Sequence, residues 1–491
     1  MLKAKYQDFY DQIIHKIAKE KIFTDKLHTL AYGTDASFYR LIPKIVIKTD
    51  NAQEVQDIIE LSNSMNLSIT FRAGGTSLSG QAISDSILII TSRNFSNFKI
   101  ASDVSYISLE PALTGAQVNG LLARYSKKIG PDPASINAAM IGGIAANNAS
   151  GMCCGISQNS YKTLKSMKLI FSDGTKLDTS CEKSKDSFRK THGEFLKNLK
   201  SFSEETKTNE ELRAKIERKY KIKNTCGYSL NSLIDFDDEF EILEHLIIGS
   251  EGTLAFIEEI TYYTVEDLKD KASTLIYFKD IKEACSAVTK LKLAKEAKTI
   301  NVEAVELMDR AGLASIENDP AMPVFIKDFD EKVTALLIET RAISDEQLDI
   351  QTAQIEELLS EFSVVRDIYF TKDVAEYTLY WKIRKGLFPA VGAVRETGTT
   401  VIIEDVAYPI ECLAEATLEL QELFKKHNYS EALIFGHALE GNFHFVFTQD
   451  FSDPKEVKRY DDFMNDVVHS VAVKYQGSLK AEHGTGRNMA A

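Results

Sequence analysis

"FRAGGTSLSG" (residues 71–80) places three glycines in a short stretch between two apolar runs, NLSIT before it and SILIIT after it. Glycine weakens helices and strands alike, so the pattern predicts a loop of exposed main chain between two strands. What such a loop binds is the first question that the sequence raises.

Two known phosphate-binding patterns differ from this loop. The dinucleotide fingerprint G-x-G-x-x-G is absent from it. Gly75 and Gly80 have the spacing of a P-loop, but Gln81 and Ala82 replace the Lys and the Ser or Thr that an NTPase requires. Two interpretations remain open: a structural turn, or a nest of backbone N–H groups that approaches a pyrophosphate.

Two further stretches are poor in bulky side chains. GPDPASINAAMIGGIAANNASGMCCG spans residues 130–155, and the turn GSEG lies within LIIGSEGTLAFIEEIT at 246–261. Main chain without bulky side chains lets a flat cofactor approach closely. Three such loops, each next to a predicted strand, indicate one extended ligand that is held by backbone.

The composition disfavours several classes of protein. A length of 491 residues predicts two domains, and a net charge of −14 disfavours nucleic-acid binding. No apolar run is long enough to span a membrane, and the charged amphipathic N-terminus is unlike a signal peptide. The six cysteines lack the spacing of a metal cluster, which predicts reduced thiols in a cytoplasmic protein.

The periodicity divides the chain into two patterns. Residues 44–175 alternate short strands with helices, whereas from about residue 270 longer strands alternate with amphipathic helices. The second pattern predicts a mainly antiparallel sheet backed by helices. Between the two, residues 182–223 are rich in Lys and Glu at helical spacing. They form either a solvated insertion or a docking surface for a partner or anionic lipid.

Together, the motifs RAGGTSLSG, GGIAANNASG and IGSEGTL resemble the PCMH-type FAD-binding domain of the vanillyl-alcohol-oxidase superfamily. More closely, the chain resembles the FAD-linked D-lactate dehydrogenase and glycolate oxidase group, which includes D-2-hydroxyglutarate dehydrogenase. The resemblance implies an α+β fold: an FAD-binding domain of two α/β subdomains, and a substrate (cap) domain with a mainly antiparallel sheet backed by helices. The expected domains are an N-terminal helical segment at 1–37, the FAD-binding domain at 38–265, the substrate domain at 266–480 and a returning segment at 481–491.

The resemblance also implies which residues hold the cofactor. Residues 72–80 would bind the FAD pyrophosphate, while 142–151 and 249–257 would lie along the rest of the molecule. Some members tether FAD through a His in the first loop, but this loop has none, so noncovalent FAD is expected. The expected cofactor-binding residues are Arg72, Ala73, Gly74, Gly75, Thr76, Ser77, Ser79, Gly80, Gln81, Pro131, Asp132, Gly142, Gly143, Ala146, Asn147, Asn148, Ser150, Gly151, Gly249, Glu251, Gly252, Ile257 and Asn488.

Two histidines occur in a predicted hairpin, ALIFGHALEGNFHFVF at residues 432–447. If Ala438 pairs with Phe443, His437 faces His444 across the hairpin, and facing residues lie about 5 Å apart at Cβ. Two imidazoles at that distance can share a metal. From the spacing alone, two packed core histidines remain an alternative.

The resemblance assigns roles to these side chains. G-H-x-x-x-G-N-x-H followed by E-H-G-x-G matches a pattern in which two His and one Glu bind a divalent metal, Zn or Mn. The ligands would be His437, His444 and Glu482, and the catalytic base would be His483. WKIRKGLF supplies Arg384, which the resemblance makes the clamp for the substrate carboxylate, a role that suits the bidentate guanidinium.

The strand IIEDVAYP bears on the size of the substrate. Members that act on 2-hydroxyglutarate carry a Lys just before the Asp-Val of this strand, whereas here Glu404 precedes Asp405. The missing Lys favours a monocarboxylate, and the expected reaction is oxidation of D-lactate to pyruvate. The alternatives are glycolate or D-2-hydroxyglutarate as substrate, a metal-dependent hydrolase with structural glycine loops, or a flavin-bound subunit that serves assembly or electron relay.

The end of the sequence, HGTGRNMAA, raises the question of the electron acceptor. Relatives with G-x-G-R-N-M continue beyond it, often into a fused iron–sulfur domain. The chain is therefore expected to be the catalytic piece of a longer protein or one subunit of a complex. The expected partners are a small 2-hydroxy acid and an iron–sulfur domain or subunit, without nucleic acid. Membrane association is expected to be at most peripheral, on the cytoplasmic face of the inner membrane.

Overall fold

The structure, a computed structural model, describes residues 3–318 and 322–487, with the backbone alone at 388–394. The chain forms two compact units. The first comprises Met1–Tyr220, Thr225–Asp267 and Glu482–Ala491, and the second comprises Lys221–Asn224 and Leu268–Ala481.

The first unit contains a small sheet of mixed direction. Its strands are β1 (Ile22–Phe23), β2 (Ile45–Thr49), β3 (Ile69–Arg72) and β4 (Ile87–Thr91). Their order is β1-β2-β4-β3, with β4 parallel to both β2 and β3, and β1 antiparallel to β2. The glycine loop therefore begins at the carboxyl end of β3, in the connection between two parallel strands.

A second sheet in this unit is antiparallel. Its strands are β5 (Phe98–Ile100), β6 (Tyr106–Leu109), β7 (Lys127–Ile129), β8 (Leu164–Phe171), β9 (Lys176–Asp178) and β10 (Ala255–Glu266). The order is β5-β6-β10-β8-β9, and β7 also pairs with β10. Since β10 follows the GSEG turn directly, this long strand fixes the position of the third glycine-containing loop.

Helices cover both sheets of the first unit. They are α1 (Ala4–Ile13), α2 (Lys26–Ala31), α3 (Ala52–Ser64), α4 (Gly115–Leu122), α5 (Ile141–Asn147), α6 (Ser160–Thr163), α7 (Glu182–Thr208), α8 (Glu210–Lys219), α9 (Ser232–Asp235) and α10 (Glu239–Ile247). α7 and α8 form the Lys- and Glu-rich segment, and α7 packs Phe188 and Leu196 into the core of the second sheet. Among the described residues, no helix combines the length and the apolar character needed to cross a bilayer.

Side chains that accept backbone N–H bonds fix where these helices begin. The sequence predicts a cap for α3 at Thr49 or Asp50, but the cap is Asn51, whose side chain accepts from the N–H of Glu54. Thr49 is the last residue of β2, so it is not available as a cap. The cap predicted at Thr114 for α4 is confirmed.

The second unit is built on one antiparallel sheet. Its strands are β11 (Asp270–Phe278), β12 (Ala304–Met308), β13 (Thr334–Ala342), β14 (Thr400–Ala407), β15 (Leu433–His437) and β16 (Asn442–Gln449). The order is β11-β13-β12-β15-β16-β14, and every neighbouring pair is antiparallel. With the helices described next, this confirms the predicted α+β fold.

Helices lie on both faces of this sheet. They are α11 (Ile281–Glu296), α12 (Arg310–Ile316), α13 (Asp345–Leu359), α14 (Val374–Val394), α15 (Leu413–Lys426) and α16 (Pro454–Val468). One face packs Leu307 and Ile434 against α11, α13, α15 and α16, and the other packs Met308 and Phe435 against α12 and α14. Because side chains alternate along a strand, Glu306 and His437 lie on the face of α12 and α14.

Candidate active site

The glycine loop presents a run of four backbone N–H groups. Among the described residues, no hydrogen-bond acceptor faces the backbone N–H groups of Gly74, Gly75, Thr76 and Ser77. Gly75 has a φ of +68°, which side chains rarely adopt. Four consecutive unpaired N–H groups form the type of concavity that binds anions such as phosphate.

Small residues allow the neighbouring loops to pack closely on this loop. A Cβ on Gly74 would lie 2.4 Å from the carbonyl oxygen of Ala138, and one on Gly143 would lie 3.2 Å from the Cβ of Ala73. The glycine loop therefore contacts the chain around the start of α5 directly. The bare backbone predicted for 130–155 serves this close packing.

Gln81 connects three of the loops. Its Nε2 donates to Glu251 Oε1 at 3.0 Å and to the carbonyl oxygen of His483 at 2.9 Å. The N–H of Glu251 in turn donates to the carbonyl of Ala146, and the N–H of Gly486 donates to the Glu251 carboxylate. Four segments that are distant in sequence thus converge in the first unit.

Several of the expected cofactor residues hold these loops in place. The guanidinium of Arg72 donates to the carbonyl oxygens of Thr34 and Ala82. The carboxylate of Asp132 accepts from the N–H groups of Cys153 and Cys154. The hydrogen bonds of these two side chains hold the backbone of the loops in place.

The other expected residues belong to the same loops or to adjoining elements. Asn148 accepts a hydrogen bond from the N–H of Tyr161, and Ile257 is buried in β10. Asn488 lies outside the described residues. Gly142 and Asn147 lie in α5, and the residues within the loops themselves are Ser79, Gly80, Pro131, Ser150, Gly151, Gly249 and Gly252.

A cavity of about 610 Å³ adjoins the converging loops and is lined by Gly80, Gln81, Glu251 and Gly486, among others. Beside it, the hydroxyl groups of Ser79 and Ser250 are buried and have no hydrogen-bond partner among the described residues. Buried polar groups normally find partners, so these hydroxyls fit a polar ligand. The N–H groups of the first loop and the close-packed glycines fit the FAD that the resemblance implies.

A Cβ at Gly74 should disrupt this loop. Gly74→Ala introduces a carbon 2.4 Å from a backbone oxygen, which cannot move aside as a flexible side chain could. The purified variant should lose most of its bound FAD, measured by absorbance of the released flavin. Gly120→Ala on α4 is the matched control, because nothing lies within 4 Å of its added Cβ. Full FAD occupancy in Gly74→Ala would contradict the assignment of this loop.

In the second unit, His437 is held by a carboxylate from the neighbouring strand. Glu306 lies opposite His437 in the β12–β15 ladder, and its Oε1 is 2.7 Å from His437 Nδ1. The other carboxylate oxygen lies 2.7 Å from Nη2 of Arg384. Burial opposes the charged form of Glu306, but His437 and Arg384 outweigh it and hold its pKa below the ordinary value.

His444 also faces a carboxylate. It lies opposite Asp405 in the β14–β16 ladder, and its Nδ1 is 3.7 Å from Asp405 Oδ1. Asn442 fixes that carboxylate by donating from Nδ2 at 2.7 Å. The rings of His437 and His444 are 5.3 Å apart between centroids and nearly perpendicular. Nδ1 of His437 is therefore within hydrogen-bond distance of a carboxylate, the arrangement usual for a metal-ligating His, whereas Nδ1 of His444 lies beyond that distance from Asp405.

The predicted register of the hairpin is wrong by two residues. His444 pairs with Phe435 rather than with His437, because Ala438–Glu440 form a helical turn that lengthens the connection. Gly441 closes that turn at a φ of +63°. A shift by two keeps a side chain on the same face of a sheet, so both imidazoles still lie on one side.

Arg384 reaches the same face from α14. It is 5% exposed, and its guanidinium lies over the Phe435 ring at 4.5 Å. The Nε of Arg384 has no hydrogen-bond partner among the described residues. This Arg is thus buried beside a His–Glu pair and is not exposed on a solvated helix face.

A buried Lys lies beside β14, although the sequence of that strand contains no Lys. The strand β14 carries Glu404, and the fully buried Lys480 places Nζ 2.5 Å from Glu404 Oε2. Lys480 also bridges to Asp405 through the backbone. The Lys comes from a segment distant in sequence, so the strand IIEDVAYP alone could not indicate it.

Removing one member of this pair should destabilise the protein. Glu404→Leu leaves the ammonium of Lys480 without its carboxylate, and breaking a buried pair in this way costs about 3–5 kcal/mol of the free energy of unfolding. Urea unfolding of the FAD-loaded protein measures the loss. The double variant Glu404→Leu, Lys480→Met should recover most of it. Equal stability of the single variant and wild type would contradict the prediction.

Glu482 and His483 belong to the first unit. Glu482 follows Ala481, the last residue of the second unit, and its side chain is 9% exposed. Nε2 of His483 lies 3.8 Å from Oε1 of Glu482, and the His483 carbonyl accepts from Gln81. The segment is thus anchored to the loops of the first unit.

Sequence reasoning missed the carboxylates behind the histidines. Glu306 is 131 positions from His437, and nothing around it repeats a recognised motif. An acidic residue inside the apolar strand AVELM was the available signal, because such residues are rarely buried without a partner. Asp405 could have been noticed in the same way within VIIEDVA.

Comparison with known families bears on both units. The profile described as "FAD binding domain" matches residues 43–180, and the one described as "FAD linked oxidases, C-terminal domain" matches residues 268–491. A solved structure of p-cresol methylhydroxylase aligns with a TM-score of 0.67, covering 98% of this chain and 90% of that one, at 11% identity. At that identity the likeness concerns the fold alone.

Two curated relatives are similar over most of the chain. D-2-hydroxyglutarate dehydrogenase of Haemophilus influenzae is 24% identical, over 98% of this chain and 48% of its own length. The mitochondrial D-lactate dehydrogenase [cytochrome] 1 of Saccharomyces cerevisiae is 23% identical, over 90% of this chain and 66% of its own length. The chain spans about half the length of the D-2-hydroxyglutarate dehydrogenases that it matches. With an FAD binding domain followed by the matching C-terminal domain, the chain belongs to the family of FAD-linked oxidases.

Proposed function

We propose that the chain oxidises a D-2-hydroxy acid, most favourably D-lactate, to the 2-oxo acid, with noncovalent FAD held by the loops of the first unit. The observation that carries the proposal is the pair His437 and His444 on one face of the sheet, with Glu306 holding both His437 and the buried Arg384. When bound, FAD supplies the acceptor for the hydride that leaves Cα of the acid.

We propose His437, His444 and Glu482 as ligands of a divalent metal, Zn or Mn. The donor set supports this, since two imidazoles and one carboxylate form a site that leaves positions open for substrate. Nδ1 of His437 already has a carboxylate partner in Glu306, as metal-ligating histidines commonly do. A metal bound there supplies Lewis acidity, which lowers the pKa of a hydroxyl group.

Arg384 is the proposed ligand of the substrate carboxylate. Its guanidinium contacts Glu306 and Phe435, and its Nε has no hydrogen-bond partner in the described parts of the chain. A fixed, planar guanidinium favours bidentate binding of a carboxylate over binding of a neutral group. This contact would orient the 2-hydroxy group for deprotonation.

His483 is the proposed base that accepts the proton of the substrate hydroxyl. The bond from Gln81 to its carbonyl oxygen holds the backbone of His483, while 12% of the side chain stays exposed. An imidazole can accept a proton near neutral pH, which suits a general base.

The pair Glu404 and Lys480 supports a monocarboxylate as the substrate. The buried cation nearest to this strand already has a carboxylate partner in the protein. A second substrate carboxylate would have to displace Glu404 to bind Lys480. The curated relatives include both D-lactate and D-2-hydroxyglutarate dehydrogenases, and experiment distinguishes between these acids.

An anaerobic panel tests this function. FAD-loaded protein is mixed with D-lactate, L-lactate, glycolate and D-2-hydroxyglutarate, and the flavin absorbance is followed. D-lactate should bleach the flavin fastest. Faster bleaching by D-2-hydroxyglutarate would overturn the monocarboxylate assignment, and an unchanged spectrum with every acid would favour the hydrolase alternative. The proposed onward acceptor is an iron–sulfur domain or subunit, so the chain alone should reduce a soluble dye much faster than a quinone.

A further inference from the structure

Glu306 is a fully buried carboxylate with two different partners. It is 0% exposed, and each oxygen lies 2.7 Å from one nitrogen: Oε1 from His437 Nδ1, and Oε2 from Arg384 Nη2. The strand β12 supplies the carboxylate, β15 supplies the imidazole and α14 supplies the guanidinium. One side chain therefore joins three elements at the proposed substrate face.

Each contact sets the chemistry of its partner. An ionised carboxylate only accepts hydrogen bonds, so Nδ1 of His437 donates to it, and in a neutral imidazole Nε2 then keeps its lone pair. The same carboxylate holds one edge of the Arg384 guanidinium, whose face is fixed over the Phe435 ring. The remaining donors of the guanidinium are thereby kept in one orientation.

We propose that Glu306 is a positioning residue that couples metal binding through His437 to binding of the 2-hydroxy-acid carboxylate through Arg384. The inference rests on the proposed function and assigns a role to a side chain outside the ligand set. A single carboxylate serves both partners because it offers two acceptor oxygens. An amide offers one, so Glu306→Gln can satisfy either partner but not both.

Glu306→Gln should therefore affect two separate quantities. The dissociation constant for Zn²⁺, measured by equilibrium dialysis of the FAD-loaded protein, should rise by about 10- to 100-fold, as is usual when a partner of a metal-ligating His is removed. At saturating metal, KM for the acid that the panel selects should rise while kcat changes less. A merely structural role would lower both stability and kcat without this split.

Glu339→Gln is the control for metal binding. Glu339 lies on β13, is 1% exposed and accepts hydrogen bonds from Trp381 and Arg341, without a described contact to His437. Its amide variant should bind Zn²⁺ as tightly as wild type. If Glu306→Gln folds poorly, the double variant Glu306→Gln, Arg384→Met replaces the pair by groups of similar volume and keeps the Zn²⁺ measurement possible.

The outcomes separate this inference from the function it rests on. Unchanged Zn²⁺ affinity in both variants of Glu306 would overturn the coupling, even if the acid still reduces the flavin. Weaker Zn²⁺ binding would support it, even if none of the acids in the panel is a substrate. Failure of the wild type to bind Zn²⁺ or Mn²⁺ would overturn the metal site and this inference together. The double variant Glu306→Gln, Arg384→Met should have the same KM as Arg384→Met alone. A higher KM in the double variant would mean that Glu306 does not act on substrate binding through Arg384.

Discussion

Replacing His483 by Asn should lower the rate of flavin reduction by about 10²–10⁴, the usual contribution of a positioned general base. Asn keeps the polarity and approximate size of the side chain but cannot accept a proton near neutral pH. The backbone carbonyl that accepts from Gln81 is unchanged, so the loops of the first unit should keep their arrangement. Stopped-flow absorbance under anaerobic conditions measures the rate directly.

Two accompanying measurements make this result specific. The metal content of His483→Asn should equal that of wild type, because His483 is proposed as base and not as ligand. His192→Asn, on α7 of the same unit, is the matched control and should react at the wild-type rate. Loss of metal in His483→Asn would mean that the roles of His483 and a ligand have been exchanged, and a wild-type rate would exclude it as the base.

Removing the metal should abolish reduction of the flavin by the acid while FAD stays bound. The proposed ligands include two imidazoles, whereas the loops proposed for FAD offer backbone N–H groups, which need no metal. Dialysis against a chelator, followed by absorbance spectroscopy and metal analysis, separates the two cofactors. Loss of flavin reduction with an unchanged flavin spectrum is the expected result.

Adding single metal ions back to the chelated protein identifies the ion that flavin reduction requires. Zn²⁺ or Mn²⁺ should restore flavin reduction, since imidazole and carboxylate ligands suit both. His437→Ala should behave as the chelated protein does and should not recover with either ion. Full activity in protein shown to be free of metal would mean that the reaction needs no metal.

The fold could be predicted from sequence because its signals are local. Three glycine-containing loops, each beside an apolar strand, predicted main chain that approaches a ligand, and the alternation after residue 270 predicted an antiparallel sheet with helices. Both predictions concern composition over short windows, where glycine and side-chain periodicity act directly. The match to the two FAD-linked oxidase domains confirms the family that these motifs indicated.

The register of the hairpin could not be predicted from local sequence. A tight connection over LEGN would make His437 face His444, yet the helical turn at Ala438–Glu440 moves the register by two residues. The histidines remain on one face because the shift is even. Their close approach was therefore predictable from the period of a strand, whereas their pairing depended on the turn.

The carboxylates that orient the histidines could not be predicted from spacing. Glu306 reaches His437 because β12 and β15 are neighbours in the sheet, an order that the sequence does not specify. Lys480 reaches Glu404 in the same way, from a segment 76 positions later in the chain. Contacts of this kind depend on strand order, so they appear only when the whole sheet is known.

The most direct test of the central claim is a single turnover without oxygen. FAD-loaded protein is mixed with an excess of the acid that the panel selects. The amount of 2-oxo acid formed is then compared with the amount of FAD that is reduced. The account predicts one molecule of 2-oxo acid for each FAD reduced. Formation of 2-oxo acid while the flavin stays oxidised, or bleaching without any 2-oxo acid, would contradict it.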